Sequence, residues 1–301
     1  MDDLVIAAAG DEAYAWPTAV ALLSAALGSS IPVTCLFLAD RIPGETRAEL
    51  AEVFERHAVP CTIVAADLDP FDPFPAELHL TRTTYARLLV PATAEDLGPR
   101  TLYLDSDTLT IGDAAALASW PLDGNVVGAC HGGDVGVWEQ AGWAGMEDWR
   151  ARGHAPDAAF FNAGVLVIDN ERWRSEGVTA AALDLLEHHP ELTMSSDQSA
   201  LNTVLYGRWA AIPKRWNHIV HRSPSVRIGP LAVSRRAAVN LRRARILHYF
   251  EAVKPWHRLY PPGPLLTIYR SAWLRYARPP LPPARTLREW IRDRHGLGSQ
   301  G

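Results

Sequence analysis

The first half of the chain alternates between short apolar runs and segments with helical periodicity. Apolar runs typical of buried strands lie at Leu4–Ala9, Val33–Leu38, Cys61–Ala65 and Thr101–Leu104. Between them, helices are predicted at Ala15–Leu27, Gly44–His57 and Thr83–Val90. This strand–helix order predicts a mostly parallel sheet covered by helices, and therefore an α/β fold.

The pattern becomes less regular in the second half. Further strands are predicted at Val126–Cys130, Gly164–Ile168, Trp209–Ile212 and Ile246–Tyr249, and further helices at Val178–His189 and Asp197–Tyr206. From Pro261 the chain is rich in Pro and Arg, with short helices predicted around Leu265–Tyr276 and Thr286–Arg294. We therefore divide the chain into an α/β domain at 1–260 and a basic, aromatic extension at 261–301.

Composition limits the class of protein. Hydrophobic residues make up 48% and charged residues 21% of the 301 residues, which is enough for a large core, and the net charge of −5 does not favour a nucleic-acid partner. The three cysteines, Cys35, Cys61 and Cys130, lack metal or redox spacing and predict buried reduced thiols. With neither a basic leader nor a membrane-length apolar run, we expect a cytoplasmic protein.

Charge is spread unevenly along the chain. Residues 214–301 hold 18 Lys/Arg against three Asp/Glu, a balance of +15, whereas residues 1–213 have a balance of −20. This asymmetry predicts an anionic partner near the C-terminal part, either a ligand or a lipid surface; alternatively, the basic segment wraps the acidic body. Arginines and aromatic side chains interleave over 262–294, which favours peripheral contact with the inner face of a membrane, or else an extension that packs on the sheet.

The strongest chemical signal is the segment 102–113, where an apolar strand leads into Asp105 and Asp107. In extended chain, residues two apart point the same way, so both carboxylates are expected to face one hard cation such as Mg²⁺ or Mn²⁺. A surface turn with two capping aspartates is the plain alternative. A phosphatase with two aspartates is a third, but it requires Thr at the fifth position, where this chain has Leu109.

Five spaced blocks and a final segment, taken together, resemble the retaining glycosyltransferases of family 8, which include glycogenin and bacterial lipopolysaccharide galactosyl- and glucosyltransferases. The blocks lie at 7–27, 81–91, 102–113, 160–174 and 195–209, and the segment at 246–257. The resemblance implies a Rossmann-like mixed sheet of the GT-A type, flanked by helices, with a short C-terminal helical extension.

The resemblance also implies which residues form the site. It assigns contacts with the nucleotide-sugar donor to Ala8, Ala9, Asp11, Tyr14, Arg87, Ser106, Asn162 and Lys254. His248 matches a third metal ligand beside Asp105 and Asp107, with Mn²⁺ or Mg²⁺ as the ion. Asp197 matches the acceptor for a sugar hydroxyl, and Gln198 matches the amide on the far face of the anomeric carbon.

Two positions depart from the family pattern. Ala13 stands where an Asn is frequent, so one polar contact with the nucleoside is missing. Glu251 stands where a Gly is common, and its carboxylate would repel a diphosphate unless it turned away.

The function implied by the resemblance is metal-dependent, retaining transfer of glucose or galactose from a UDP-sugar to an acceptor hydroxyl. The acceptor is a glycan, a lipid-linked glycan or a small molecule. A sugar-nucleotide hydrolase is one alternative. A catalytically weak sugar-nucleotide-binding protein is the other, motivated by Glu251 and Ala13.

Overall fold

The strands and helices are seen in a computed structural model that describes residues 4–72, 74, 81–132, 153–155, 157–189, 196–220 and 242–283. The strands are β1 Leu4–Asp11, β2 Val33–Asp40, β3 Cys61–Ala65, β4 Arg100–Leu104, β5 Thr108–Thr110, β6 Val127–His131, β7 Phe161–Asp169, β8 Trp209–Ile212, β9 His218–Ile219 and β10 Ile246–His248. The α-helices are α1 Ala15–Leu27, α2 Gly44–Arg56, α3 Val90–Thr93, α4 Ala115–Ala118, α5 Asn170–Ser175, α6 Val178–His188, α7 Ser196–Val204 and α8 Pro264–Tyr276.

Seven strands form the main sheet in the order β3-β2-β1-β4-β7-β6-β8. Neighbouring strands are parallel except that β7 runs antiparallel to both β4 and β6. The predicted mixed sheet flanked by helices is therefore confirmed. Since β1 is covered on both faces, its sequence is apolar throughout rather than alternating.

Each face of the sheet carries its own core. Even-numbered residues of β1, such as Ile6 and Ala8, join a cluster with α1, α2 and α8. Odd-numbered residues, such as Ala7 and Ala9, join a second cluster with α6 and α7 on the opposite face. Helix α1 is buried along almost its whole length, which explains why its sequence is apolar all round.

A small second sheet positions the C-terminal side of the candidate site. It has the order β5-β10-β9, with β10 antiparallel to β5 and parallel to β9. The pairing continues past the end of β10, where the backbone N–H of Tyr249 donates to the carbonyl of Asp107 at 2.9 Å. The segment after His248 is therefore fixed against the segment after β4.

The structure differs from the sequence prediction in a few elements. The predicted helix Thr83–Val90 is a 3₁₀-helix over Arg82–Leu89 followed by α3. Strand β5 was not predicted, because three residues pair only with a distant partner and carry no periodicity of their own. The predicted helix Thr286–Arg294 lies outside the described residues.

Helix α8 packs on the same cluster as α1. Its side chains Leu266, Tyr269, Trp273 and Tyr276 are buried, whereas Leu274 is exposed. Within the described part of the chain, the aromatic residues of the extension therefore point into the core, as a packing extension requires. The division at residue 260 and the membrane contact stay predictions. No helix among the described residues has the length and apolarity needed to cross a membrane.

All three cysteines are free thiols. Cys35 and Cys130 are buried as predicted, while Cys61 is only partly buried. Burial raises the pKa of Cys61 and of Cys130 to about 12 in each case, so both thiols stay protonated and unreactive at neutral pH.

Candidate functional site

Asp105 and Asp107 lie in a tight turn between β4 and β5. The carbonyl of Asp105 accepts bonds from the backbone N–H and the hydroxyl of Thr108, at 3.0 and 2.7 Å. The N–H of Asp105 donates to the carbonyl of Gly164 at 2.8 Å. The expectation of an extended segment was wrong in detail, since a turn rather than strand geometry brings the two carboxylates together.

His248, at the end of β10, completes a cluster with these two aspartates. Its Nε2 lies 3.1 Å from Oδ1 of Asp107 and 3.8 Å from Oδ2 of Asp105. One ligand atom from each of the three residues lies within 4.8 Å of the others. His248 is only 1% exposed, so the cluster is closed on the imidazole side.

A chain of amides fixes the imidazole of His248. Asn162 Oδ1 accepts the N–H of Gly164 at 3.0 Å and an Nδ2–H of Asn217 at 2.7 Å. The Oδ1 of Asn217 therefore faces His248 Nδ1, at 2.9 Å, and accepts its proton. In a neutral ring this leaves the Nε2 lone pair directed at the two aspartates.

The geometry of the cluster fits a divalent cation. The lone pair of His248 Nε2 faces Asp107 Oδ1, which is buried and has no hydrogen-bond partner. Two acceptors opposed in this way repel each other unless a proton or a metal cation lies between them. Two carboxylates and an imidazole form a donor set that suits manganese, and adjacent ligands of an octahedral ion are about 3 Å apart.

Lys254 reaches the same cluster from the loop after β10. Its ammonium, which is 2% exposed, lies 2.6 Å from Asp107 Oδ2 and donates to the carbonyls of Tyr249 and Phe250. Burial alone would raise the pKa of Asp107, but His248, whenever its ring is protonated, and the Lys254 ammonium hold that pKa below its usual range. Asp107 is therefore a carboxylate throughout the neutral range.

Gly164 on β7 leaves the space that the cluster occupies. A Cβ at this position would lie 2.4 Å from Cε1 of His248 and 2.7 Å from Oδ2 of Asp105. Real Cβ atoms do not approach other atoms so closely. The absence of a side chain at Gly164 is thus a condition for the two ligands to meet.

Arg87 links the acidic turn to α7. Its guanidinium lies 2.8 Å from Asp105 Oδ1 and 2.7 Å from Asp197 Oδ2, and donates to the carbonyl of Ala163 at 2.7 Å. Burial lowers the pKa of Arg87, but Asp105 and Asp197 outweigh that effect and raise it, so the residue stays charged. Burial likewise raises the pKa of Asp197 to about 6 despite the neighbouring Arg87.

Gln198, the next residue on α7, is oriented by β7. Its Oε1 accepts the side-chain N–H of Asn162 at 3.1 Å and the backbone N–H of Ala163 at 3.0 Å. Both bonds engage the amide oxygen. The side chain is therefore held as a fixed dipole at the side of the cavity lined by Asp197.

The loop after β1 forms another part of the cavity wall. Asp11 caps the following 3₁₀-turn by accepting the N–H of Tyr14 at 3.1 Å, and its second oxygen accepts the hydroxyl of Thr81 at 3.0 Å. The ring of Tyr14 packs edge-on against Trp256, with centroids 5.5 Å apart. Burial, Asp107 and Asp11 together raise the pKa of Tyr14 to about 12, so its hydroxyl remains a hydrogen-bond donor.

One cavity of about 190 Å³ brings nearly all the predicted site residues together. Those lining it are Ala9, Asp11, Tyr14, Arg87, Asp105, Ser106, Asp107, Asn162, Asp197, Gln198, His248 and Lys254. Ala8 is the exception, because its side chain is fully buried in the core and does not reach the cavity. Neither Glu251 nor Ala13 lines the cavity. The carboxylate of Glu251, which was expected to repel a diphosphate, is therefore not part of the cavity wall.

Several residues of the site were missed from the sequence. The cavity is also lined by Gly10, Thr81, Thr83, Thr84, Tyr103 and Phe250, and Asn217 orients His248 from outside it. Thr81, Thr83 and Thr84 lie inside the block 81–91, whose resemblance to the family could have pointed to them. No sequence signal pointed to Asn217, because its role depends on the parallel pairing of β9 with β10.

Comparison with solved structures shows which fold this is. An active-site mutant of LgtC superposes with a TM-score of 0.75 at 23% identity, covering 92% of this chain and 98% of that one. The glycosyltransferase GlyE of Streptococcus pneumoniae superposes with a TM-score of 0.62 at 20% identity, covering 99% of this chain and 64% of that one. At such identities the likeness concerns the fold, and the predicted GT-A type fold is confirmed.

Sequence comparison finds relatives with curated names. General stress protein A of Bacillus subtilis is 26% identical over 226 residues, 72% of this chain and 73% of that protein. Lipopolysaccharide 1,2-glucosyltransferase of Escherichia coli is 24% identical over 215 residues, 71% of this chain and 61% of that protein. For GlyE the identity is 28% over 206 residues, 66% of this chain and 42% of that protein. The match therefore spans less than two thirds of the length of both the Escherichia coli glucosyltransferase and GlyE.

A family model supplies the remaining evidence. The model described as glycosyl transferase family 8 matches residues 5–260, from the first strand to the loop that carries Lys254 and beyond. All the residues assigned to the candidate site fall inside this span. The chain therefore belongs to glycosyl transferase family 8 and is a glycosyltransferase.

Proposed function

We propose that the protein transfers a hexose, glucose or galactose, from a UDP-sugar to an acceptor hydroxyl, with retention at the anomeric carbon and with a divalent cation. The observation that carries the proposal is the cluster of Asp105, Asp107 and His248, in which an imidazole lone pair opposes a buried carboxylate oxygen without a hydrogen-bond partner. Mn²⁺ or Mg²⁺ bound there would supply Lewis-acid stabilisation of the departing diphosphate.

Other residues of the cavity are proposed to bind the nucleoside and the diphosphate of a nucleotide-sugar. Asp11 and Tyr14 line the same cavity as Gln198 and are proposed to bind the nucleoside. Lys254 presents a buried ammonium beside Asp107 and is proposed to contact the diphosphate. Loss of one such charge from a leaving-group site typically raises the barrier by about 2.7–4 kcal/mol.

The proposed stereochemistry is retention by front-face substitution. A double displacement requires a nucleophilic carboxylate at the anomeric carbon. The oxygen of Gln198 already accepts two hydrogen bonds, and Asp197 is engaged by Arg87 and Thr84. The departing phosphate oxygen then takes the proton of the acceptor while Asp197 and Gln198 stabilise the positive sugar. A glycosyl adduct trapped on Asp197 would contradict this route.

The proposed function is tested with a panel of nucleotide sugars in the presence of Mn²⁺. Release of nucleoside diphosphate is followed with and without glycan, lipid-linked glycan and small-molecule acceptors. Release that requires both a UDP-hexose and an acceptor supports transfer. Release without any acceptor would identify a hydrolase instead, and binding without release would identify a sugar-nucleotide-binding protein.

A further inference from the structure

A second, basic cavity lies at the other end of the small sheet. It has a volume of about 670 Å³, and its lining includes four arginines: Arg215, Arg242, Arg243 and Arg245. Arg245 directly precedes β10, whose last residue is His248. Since an extended strand rises about 3.3 Å per residue, the basic cavity and the Asp105/Asp107/His248 cluster lie at opposite ends of one short strand.

Backbone pairing places two of these arginines side by side. The N–H of Arg245 donates to the carbonyl of Arg215 at 2.7 Å. On its other side, the carbonyl of Arg245 accepts the N–H groups of Ile111 and Gly112, at 2.8 and 3.0 Å. The side-chain stem of Arg245 lies directly on Gly112, where a Cβ would come within 2.1 Å of its Cδ. Both arginines also line the same cavity, and like charges that share a cavity repel each other unless a counter-charge is present.

No carboxylate in the described part of the chain lies within ion-pair distance of these arginines. Arg215, Arg242, Arg243 and Arg245 form no ion pair with any described residue, and all four are exposed. Asp113 is the acidic residue of the lining, and its Oδ1 already accepts the backbone N–H groups of Ser30 and Ala115, at 3.0 and 2.9 Å.

Trp216 contributes an aromatic side chain to the same wall. Its ring lines the cavity, and the guanidinium carbon of Arg215 lies 6.0 Å from the ring centroid. The cavity therefore combines several guanidinium groups with an aromatic ring.

We infer that this cavity binds a phosphate or diphosphate group. Planar guanidinium groups match phosphate oxygens in a bidentate manner, and charge-assisted bonds of this kind are the strong ones. An anion bound there would also relieve the repulsion between Arg215 and Arg245. The inference does not depend on the proposed transfer reaction, and the phosphate belongs either to a soluble compound or to a phospholipid headgroup.

The test measures pyrophosphate binding to the full chain by calorimetry in the presence of a metal chelator. The chelator removes any divalent cation from the Asp105/Asp107/His248 cluster. We expect one site whose affinity falls at least about tenfold in Arg215→Gln/Arg245→Gln and in Arg242→Gln/Arg243→Gln. The matched control Arg47→Gln/Arg56→Gln removes the same charge from exposed positions on α2 and leaves binding unchanged. Lys254→Ala also leaves it unchanged, which separates this site from the proposed donor site. Melting curves verify that each variant is folded.

A second arm identifies the source of the phosphate. Flotation is measured with phosphatidylcholine vesicles that contain or lack phosphatidic acid. Arginine-dependent binding of pyrophosphate alone supports a soluble ligand, and arginine-dependent binding of phosphatidic acid vesicles supports a lipid headgroup. The inference is overturned if the arginine variants bind both probes as the parent does, or if the α2 control loses as much affinity as they do.

Discussion

The side-chain oxygen of Asn217 lies 2.9 Å from Nδ1 of His248, and it is the hydrogen bond that sets the tautomer of the ring. Asn217 is held in turn by Asn162, whose Oδ1 accepts its Nδ2–H at 2.7 Å. One chain of side chains therefore runs from the wall of the cavity to the imidazole. Loss of a residue that orients a metal ligand in this way commonly lowers metal affinity or activity by about 10–100-fold.

Asn217→Ala is expected to lower the affinity for Mn²⁺ by about 10–100-fold, because Nε2 is no longer held towards the aspartates. The measurement is the Mn²⁺ concentration that gives half-maximal activity. Activity at saturating Mn²⁺ should be largely recovered. As a control, Asn125→Ala removes a bond to the carbonyl of Leu122, in a turn outside the cavity, and should leave the Mn²⁺ dependence unchanged.

Gly164→Ala is expected to reduce activity by at least about 100-fold, because the new methyl group would overlap both His248 and Asp105. Gly44→Ala is the matched control, since a Cβ at Gly44 meets nothing within 4 Å. The measurement is activity together with the melting temperature. Full activity in a folded Gly164→Ala protein would show that the described packing of the cluster is incorrect.

Arg87→Met is expected to lower the free energy of unfolding by about 3–5 kcal/mol, because it leaves the carboxylate of Asp197 buried without its cation. Chemical denaturation measures this change. Arg172→Met, at a half-exposed position paired only on the surface, should change it by less than about 1 kcal/mol. Equal effects of the two substitutions would contradict the proposed structural role of Arg87.

The pKa of about 6 at Asp197 predicts an acidic limb in the pH dependence of kcat/KM. Above pH 6 the group is ionised and can accept a sugar hydroxyl. Below pH 6 it is protonated, and kcat/KM should fall by about tenfold per pH unit. Asp197→Asn should abolish this limb in the residual activity, whereas an identical limb in that variant would assign it to another group.

The sequence predicted those parts of the fold that depend on local pattern. The apolar runs of β1 to β4, the longer apolar run of α1 and the helical periodicity of α2 specify their own elements, because burial leaves a direct mark on the sequence. The acidic pair Asp105 and Asp107 could be recognised because it directly follows the apolar run of β4. Family resemblance, not periodicity, brought His248 into the prediction.

The missing parts depend on contacts between distant segments. Strand β5 forms only against β10, and Asn217 reaches His248 only because β9 pairs with β10. Gly164 has a role that becomes visible once His248 and Asp105 are seen on either side of it. A helix was predicted at Thr83–Val90, but Arg82–Leu89 forms 3₁₀ turns. None of these features leaves a signal in one local stretch of sequence.

The central claim is that Asp105, Asp107 and His248 together hold one divalent cation, and direct titration of the protein with Mn²⁺ tests it most closely. Free Mn²⁺ is followed by electron paramagnetic resonance for the parent and for Asp105→Asn, Asp107→Asn and His248→Ala, each verified as folded. We predict one site per chain in the parent and its loss in each variant. Unchanged Mn²⁺ binding in the three variants would contradict the account.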